Sequence, residues 1–201
     1  MSFKCKINEA MENYRITPGE VGTAKADTFK VSKSASMASI FSRDSVFPGE
    51  YQRLLISGCV MMSNTRMEIN SNIGFAYQAE GSILISGLGM GMILRALLTK
   101  ESVTDITVLE KNPDVIKLVG PNFKDDDRVT IIEADAFEWK PPKGKKWDYI
   151  WHDIWVDICT DNLKEITKLK RKFGKRCVHE QQAWMESRLR YIRQQDKKRR
   201  W

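Results

Sequence analysis

Apolar positions are scattered over the first 80 residues and then gather into short runs. Residues 1–35 are mostly polar, with Thr17-Pro18-Gly19 as a turn signal and small residues over 32–39. This stretch reads as loosely structured. "YQRLLISGCV" (51–60) reads as a strand, a turn near Gly58 and a second strand running on through Met61 and Met62. A helix is predicted from about 71 to 79, with Asn70 or Asn72 as its cap. From Ile83 the pattern tightens. "SILIS" is a short apolar run, as expected of a strand covered on both faces. A helix over 90–100 follows, then "DITVLE" as a strand ending in Glu110. "NPDVIKLV" is a helix with Asn112 as cap and Pro113 at its first position. "RVTIIEAD" is a third strand ending at Asp135, and "WDYIWHDIW" a fourth ending near Asp153. "TDNLKEITKLKRKFG" is a helix, capped by Thr160 or Asp161 and stopped by Gly174. The remainder, from Glu180, reads as a basic helix, with "RCV" the only further strand candidate.

Strands alternating with helices at this spacing imply right-handed crossovers and a parallel α/β sheet. The expected architecture is a Rossmann-like sheet with flanking helices, preceded by a small β-hairpin and followed by a basic helical tail. The expected divisions are a loosely structured segment at 1–50, a hairpin and helix lead-in at 51–80, a cofactor-binding domain at 81–175 and the tail at 176–201.

Charge sharpens this division. Residues 170–201 hold twelve Lys/Arg and three Asp/Glu, a net of +9, while the first 169 residues hold 21 and 23, a net of −2. Such a tail points to weak, salt-sensitive contact with polyanions. Its Trp184, Met185, Leu189 and Ile192 form an apolar stripe suited to docking on the parent domain or on a second subunit. The four cysteines show no CxxC spacing, and Cys177 with His179 is too sparse for a zinc site. Residues 1–10 are polar and charged, and no apolar run approaches the roughly 20 residues of a membrane span. A soluble cytoplasmic protein without membrane contact is expected.

The chemistry concentrates at "GLGMG". Gly87, Gly89 and Gly91 lie between a buried strand and a helix, where bare backbone lets a ligand approach. Glu110, Asp135 and Asp153 end the following strands, and open α/β sheets bind ligands at those ends. NAD would want G-x-G-x-x-G, and Met92 occupies the place of the third glycine. S-adenosylmethionine has no pyrophosphate and suits the shorter loop. Glu110 is placed to accept both ribose hydroxyls, Asp135 to accept from the adenine amino group, and Ala136 to offer a backbone amide to the ring. Trp151, Asp153 and Trp155 are expected on one side of an alternating strand, as an aromatic wall beside a carboxylate. His152 points the other way.

With these residues in order, "ILISGLGMGMILRALL…ITVLEKNPDVIKLV…RVTIIEADAFEW…WDYIWHDIW" resembles the spermidine synthase branch of the class I S-adenosylmethionine-dependent transferases. The likeness covers roughly 51–155, since "YQRLLISGCVMMSNTRMEINSN" resembles the hairpin that leads into that domain. It implies Gly87, Gly89 and Gly91 as the cofactor loop, Glu110 at the ribose, Asp135 and Ala136 at the adenine, and Asp153 at the catalytic aspartate. Two departures separate the chain from aminopropyl transfer. Met90 stands where the family carries a loop aspartate, and the family's aspartate-serine-serine-aspartate-proline run is "DIWVD" here, with Asp157 one place late and no proline. The expectation is therefore a methyltransferase of unknown acceptor, with Asp153 contacting the acceptor and Asp157 as a second acid. Aminopropyl transfer and a non-catalytic binding or partner module are the alternatives. The resemblance also implies a homodimer.

Overall fold

The computed structural model describes residues 3–38 and 46–199. Residue 39, the end of the small-residue stretch noted above, and residues 200–201 of the tail lie outside them. The described residues of the first fifty carry more structure than their polarity implies. Helix α1 (Phe3–Asn13) buries Ile7 and Met11, strands β1 (Gly19–Val21) and β2 (Ala24–Val31) form a hairpin, and α2 (Lys33–Ala38) follows. Only Ala24 and Ala26 of β2 are fully buried, and alanines carry little strand signal. That is why alternation was hard to see here.

The expected hairpin is β3 (Gly49–Ile56) and β4 (Cys59–Ser63). Its two-residue turn places both Ser57 and Gly58 at positive φ, +50° and +81°, as tight hairpins require. With β1 and β2 it makes a four-stranded antiparallel sheet in the order β1-β2-β3-β4. Helix α3 (Arg66–Gln78) starts five residues before the predicted Ser71, after Thr65 rather than Asn70 or Asn72. Asn72 instead lies buried inside the helix, donating to the Glu68 carbonyl at 2.8 Å.

The second sheet contains β5 (Gly81–Ser86), β6 (Val103–Glu110), β7 (Val129–Glu133), β8 (Trp147–His152) and β9 (Cys177–Ala183) in the parallel order β7-β6-β5-β8-β9. Ile83 and Ile85 of β5 enter one core and Leu84 the other, so both faces are covered, as the unbroken apolar run requires. Helices α4 (Met92–Leu97) and α5 (Pro113–Val119) connect the first three strands. Asn112 caps α5 by accepting from Asp114 N at 2.9 Å. Asp114 Oδ2 in turn accepts from Thr23 N and Oγ1 at 2.8 and 2.9 Å, latching the β1–β2 turn onto α5.

The C-terminal region corrects the sequence reading twice. Residues 177–183, "CVHEQQA", are a fifth parallel strand paired with β8 rather than the start of a helix. The strand lies at the sheet edge with its first residues largely solvated, so it lacks the apolar run that marks an interior strand. Helix α6 (Asn162–Phe173) does end at Gly174, its C-cap, but without the left-handed turn that a glycine stop implies. That glycine keeps right-handed geometry and opens a 3-10 turn, Gly174–Arg176. The final helix, α7 (Glu186–Arg199), buries only Leu189, while Trp184 and Met185 precede it. Among the described residues no helix is long and apolar enough to cross a membrane.

Candidate functional site

Strand order reverses between β5 and β8, because β6 and β7 lie on one side of β5 and β8 and β9 on the other. At such a switch the loops leaving the strands diverge and open a crevice. A cavity of about 310 Å³ occupies it, at the lower end of the range for small-molecule sites. Gly87 and Gly89 line it from the β5 end, Glu110 and Lys111 from β6, Asp135, Ala136 and Phe137 from β7, and Asp153 and Trp155 from β8. Leu54, Ile56, Met61 and Met62 of the antiparallel sheet roof it.

The three loop glycines serve three different ends. Gly87 has φ +95°, and a Cβ there would stand 1.9 Å from the carbonyl oxygen of Asp153. Gly89 has φ +52°, and its Cβ would meet Met62 Sδ at 2.8 Å. Gly91 does not line the cavity. It precedes α4 with φ +81°, and its bare Cα lies under the Phe123 ring, 2.5 Å from where a Cβ would be. Met90, at the place of the family's loop acid, is fully buried in the core.

Glu110 is held in place before any ligand arrives. One carboxylate oxygen accepts from Leu88 N in the glycine loop and the other from Asn112 N, each at 2.8 Å. A carboxylate has roughly four lone-pair sites, so two remain for further donors. Asp135 lies two residues beyond β7. Lys111 Nζ stands 2.9 Å from its Oδ2 and Phe137 N donates to its Oδ1 at 2.8 Å. Lys111 first, and then that backbone bond, hold its carboxyl below the usual carboxylate range.

Asp153 follows the last residue of β8, anchored by its N–H to Ser86 O at 2.8 Å. It is partly open to solvent through the cavity, yet burial first, and then the nearby Glu68 charge, push its carboxyl up to about 8, with the Trp151 indole pulling the other way. Glu68 itself is buried in α3, and its Oε2 has no hydrogen-bond partner among the described residues. Burial pushes it up to about 7, with Trp184 opposing. Two shielded carboxyls close enough to feel each other cannot both ionise cheaply. Nothing in the polar text around Glu68 marks it as part of this pair.

Asp157 is exposed and does not line the cavity, although its neighbour Val156 does. Its Oδ1 accepts from Asn162 Nδ2 at 3.2 Å, which ties the loop into α6. The expected aromatic wall is divided. Trp151 packs into one core with its ring 5.1 Å from Phe75, while Trp155 belongs to the other core and donates to Glu165 Oε2 at 2.8 Å. Alternation ends with the strand at His152, so Trp155 no longer shares a face with Trp151. His152 is buried, its Nδ1 2.9 Å from Ser86 Oγ, and burial lowers it to about 4. Glu165, Lys111 and Met62 line the cavity without having been singled out in the sequence. Lys111 is adjacent to Glu110, and Met62 lies in the hairpin segment that carries the family resemblance, while Glu165 has no such neighbour.

No family model matches the chain. Polyamine aminopropyltransferase 1 of Streptomyces coelicolor is 26% identical over 129 residues, covering 57% of this chain. The chain spans only 24% of the length of that relative. Among solved structures, spermidine synthase from Thermotoga maritima matches 67% of this chain and 46% of its own at 19% identity and a TM-score of 0.42. The plantazolicin methyltransferase BpumL in complex with SAH matches 57% and 44% at 16% identity and a TM-score of 0.42.

Proposed function

We propose that the chain is an S-adenosylmethionine-dependent transferase of the class I type, acting as a methyltransferase. One observation carries this reading: Gly87, Gly89, Glu110, Asp135, Ala136 and Asp153 converge on a single cavity at the strand-order switch. The residues fit the cofactor. Gly87 and Gly89 leave no Cβ in the way, and Glu110 is oriented with lone pairs to spare for ribose hydroxyls. Asp135 is kept ionised by Lys111 to accept from the adenine amine, beside the Ala136 amide. When bound, S-adenosylmethionine supplies a sulfonium-activated methyl group. The protein aligns the acceptor and manages one proton. Asp153 is assigned that proton, because a carboxyl raised to about 8 is a stronger base than an ordinary carboxylate once it ionises, which happens just above neutral pH. Asp157, exposed and bonded to Asn162, is left out of the catalytic set.

Aminopropyl transfer is the second reading, supported by the partial likeness to the Streptomyces aminopropyltransferase. It lacks a loop acid, since Met90 is buried apolar. A non-catalytic partner module is the third. Calorimetry with S-adenosylmethionine, its decarboxylated form and NAD separates the cofactor readings, and a screen of methyl acceptors and of putrescine follows. Binding of none of the three would end the cofactor argument. Binding with no turnover of any acceptor would favour the module. Cytoplasmic residence and a homodimer belong to the same proposal. The first rests on Cys5, Cys59, Cys159 and Cys177 standing as free thiols, the second on the family resemblance, and light scattering tests the dimer.

The Glu68–Asp153 pair makes a pH prediction. The deprotonated fraction of Asp153 grows as pH rises through about 8, so turnover should climb between pH 6 and pH 9. Glu68→Gln removes the charge that raises Asp153, and should move the midpoint to lower pH. The folded chain also holds protons that the unfolded chain has released, so these two groups cost stability increasingly as pH rises from about 4 to 8. Asp153→Asn and Glu68→Gln should therefore raise Tm more at pH 8 than at pH 5. A pH-rate midpoint that ignores Glu68→Gln would dissolve the pair.

A further inference from the structure

We propose that the outward face of α6 docks the sugar-phosphate backbone of a nucleic-acid duplex. Helix α6 turns Leu163, Ile166, Leu169 and Phe173 into the core. On its opposite side Lys164, Lys168 and Arg171 are exposed, and Lys175 in the 3-10 turn extends the line. Spacings of four, three and four put these cations in one row, about 16 Å long at helical rise. Asp161 offsets this row weakly, through a fully solvated contact with Lys164 at 3.6 Å. Lys168, Arg171 and Lys175 have no ion pair among the described residues.

A second basic segment adjoins the first. Lys140, Lys143 and Lys146 are exposed on the connection between β7 and β8. Arg176 binds that connection to the end of α6, donating to Pro142 O and Lys145 O, both at 3.0 Å. Lys172 sits where the two meet. Burial lowers its ammonium; the charges of Glu138 and Asp135 oppose that shift, and those of Lys168 and Lys140 add to it more weakly.

The row also reaches the proposed site. Lys168 Nζ stands 5.0 Å over the Phe137 ring and Lys172 Nζ donates to Phe137 O at 2.6 Å, while Phe137 lines the cavity. Other occupants fit the row less well. A membrane-surface helix presents an apolar face, and the apolar face of α6 is inside the protein. A protein partner calls for apolar or aromatic anchors at its centre, and the row has none. Tight single-strand binding calls for exposed rings on which bases stack, whereas Phe137 and Trp139 are partly buried and packed. A duplex carries one negative charge per roughly 1.7 Å of axis and can be held through its phosphates alone. This moves the main polyanion contact from the tail to α6, and does not depend on the cofactor reading.

The test is fluorescence anisotropy of the full chain with a short random-sequence DNA duplex across salt concentrations. Four phosphate contacts predict a log–log salt slope of about −3 to −4. The triple variants Lys164→Glu/Arg171→Glu/Lys175→Glu and Lys164→Gln/Arg171→Gln/Lys175→Gln, which leave Lys168 at Phe137 in place, should each lose at least about tenfold in affinity at low salt, with unchanged circular dichroism and unchanged S-adenosylmethionine binding. Truncation after Arg193 should cost less than either triple variant and leave cofactor binding intact. Four results would each overturn the proposal: no duplex binding at low salt, a triple variant that binds like the parent, a larger loss from the truncation, or tighter binding to a single strand, anionic vesicles or polyglutamate than to the duplex.

Discussion

Gly87→Ala is expected to be the most damaging single-methyl change in the chain. The added carbon would stand 1.9 Å from the Asp153 carbonyl oxygen, at a backbone φ of +95° that L side chains rarely adopt. Neither partner has room to retreat. Gly87 N is bonded to Leu109 O and Asp153 N to Ser86 O, each at 2.8 Å, so the end of β5 is pinned between β6 and β8. A backbone-against-backbone clash at a position needing positive φ costs upward of about 2–3 kcal/mol. Gly89→Ala supplies the comparison. There the obstacle is Met62 Sδ, the flexible end of a side chain, and φ is +52°, so the cost should be nearer the roughly 1–2 kcal/mol of a left-handed residue. Urea unfolding of both variants measures the difference, and equal losses would mean that the crossing at Asp153 is looser than described. Gly89→Val should spare most of the fold and abolish cofactor binding. Normal binding by that variant would make the loop a structural turn only.

Glu110→Ala should lower the affinity for S-adenosylmethionine at least tenfold and should also loosen the free protein. The carboxylate anchors two backbone donors, Leu88 N and Asn112 N, and in the proposed complex it also accepts from ribose. Hydrogen bonds to a charged group contribute about 1.5–3 kcal/mol each, so both consequences should be measurable. Calorimetry reads the affinity, and thermal unfolding without ligand reads the loosening. Glu110→Gln is the finer probe, because its amide nitrogen must face one of those N–H donors. It should fall between the parent and Glu110→Ala in both measurements. A folded Glu110→Ala with an unchanged dissociation constant would show that the ribose sits elsewhere, whereas unchanged thermal stability alone would revise only the account of the loop.

The central strands and α5 were legible because their signals are local. A strand covered on both faces must be apolar at consecutive positions, and Ile83, Leu84 and Ile85 are. Asn112 and Pro113 mark a helix start by the chemistry of the first turn itself. The strand ends then bring Gly87, Glu110, Asp135 and Asp153 to one edge of the sheet, because parallel strands all finish on the same side. Tertiary structure decided what no local pattern records. Strand β9 is polar and short of signal, and it pairs because β8 offers it an open edge. Helix α1 and strand β2 gain their burial from partners farther along the chain, as when Tyr77 Oη of α3 donates to Asn8 Oδ1 of α1 and β3 pairs along the whole of β2. Asp153 and Asp157 are equivalent as letters, yet one ends a strand under the cover of α3 and the other caps a solvated loop. Gly91 shares a motif with Gly87 and Gly89 but serves Phe123. Met62 and Glu68 owe their places to the docking of the antiparallel sheet and α3 over the strand ends. Sequence periodicity reports which side chains must leave water; which of them then meet depends on contacts between segments distant in the chain.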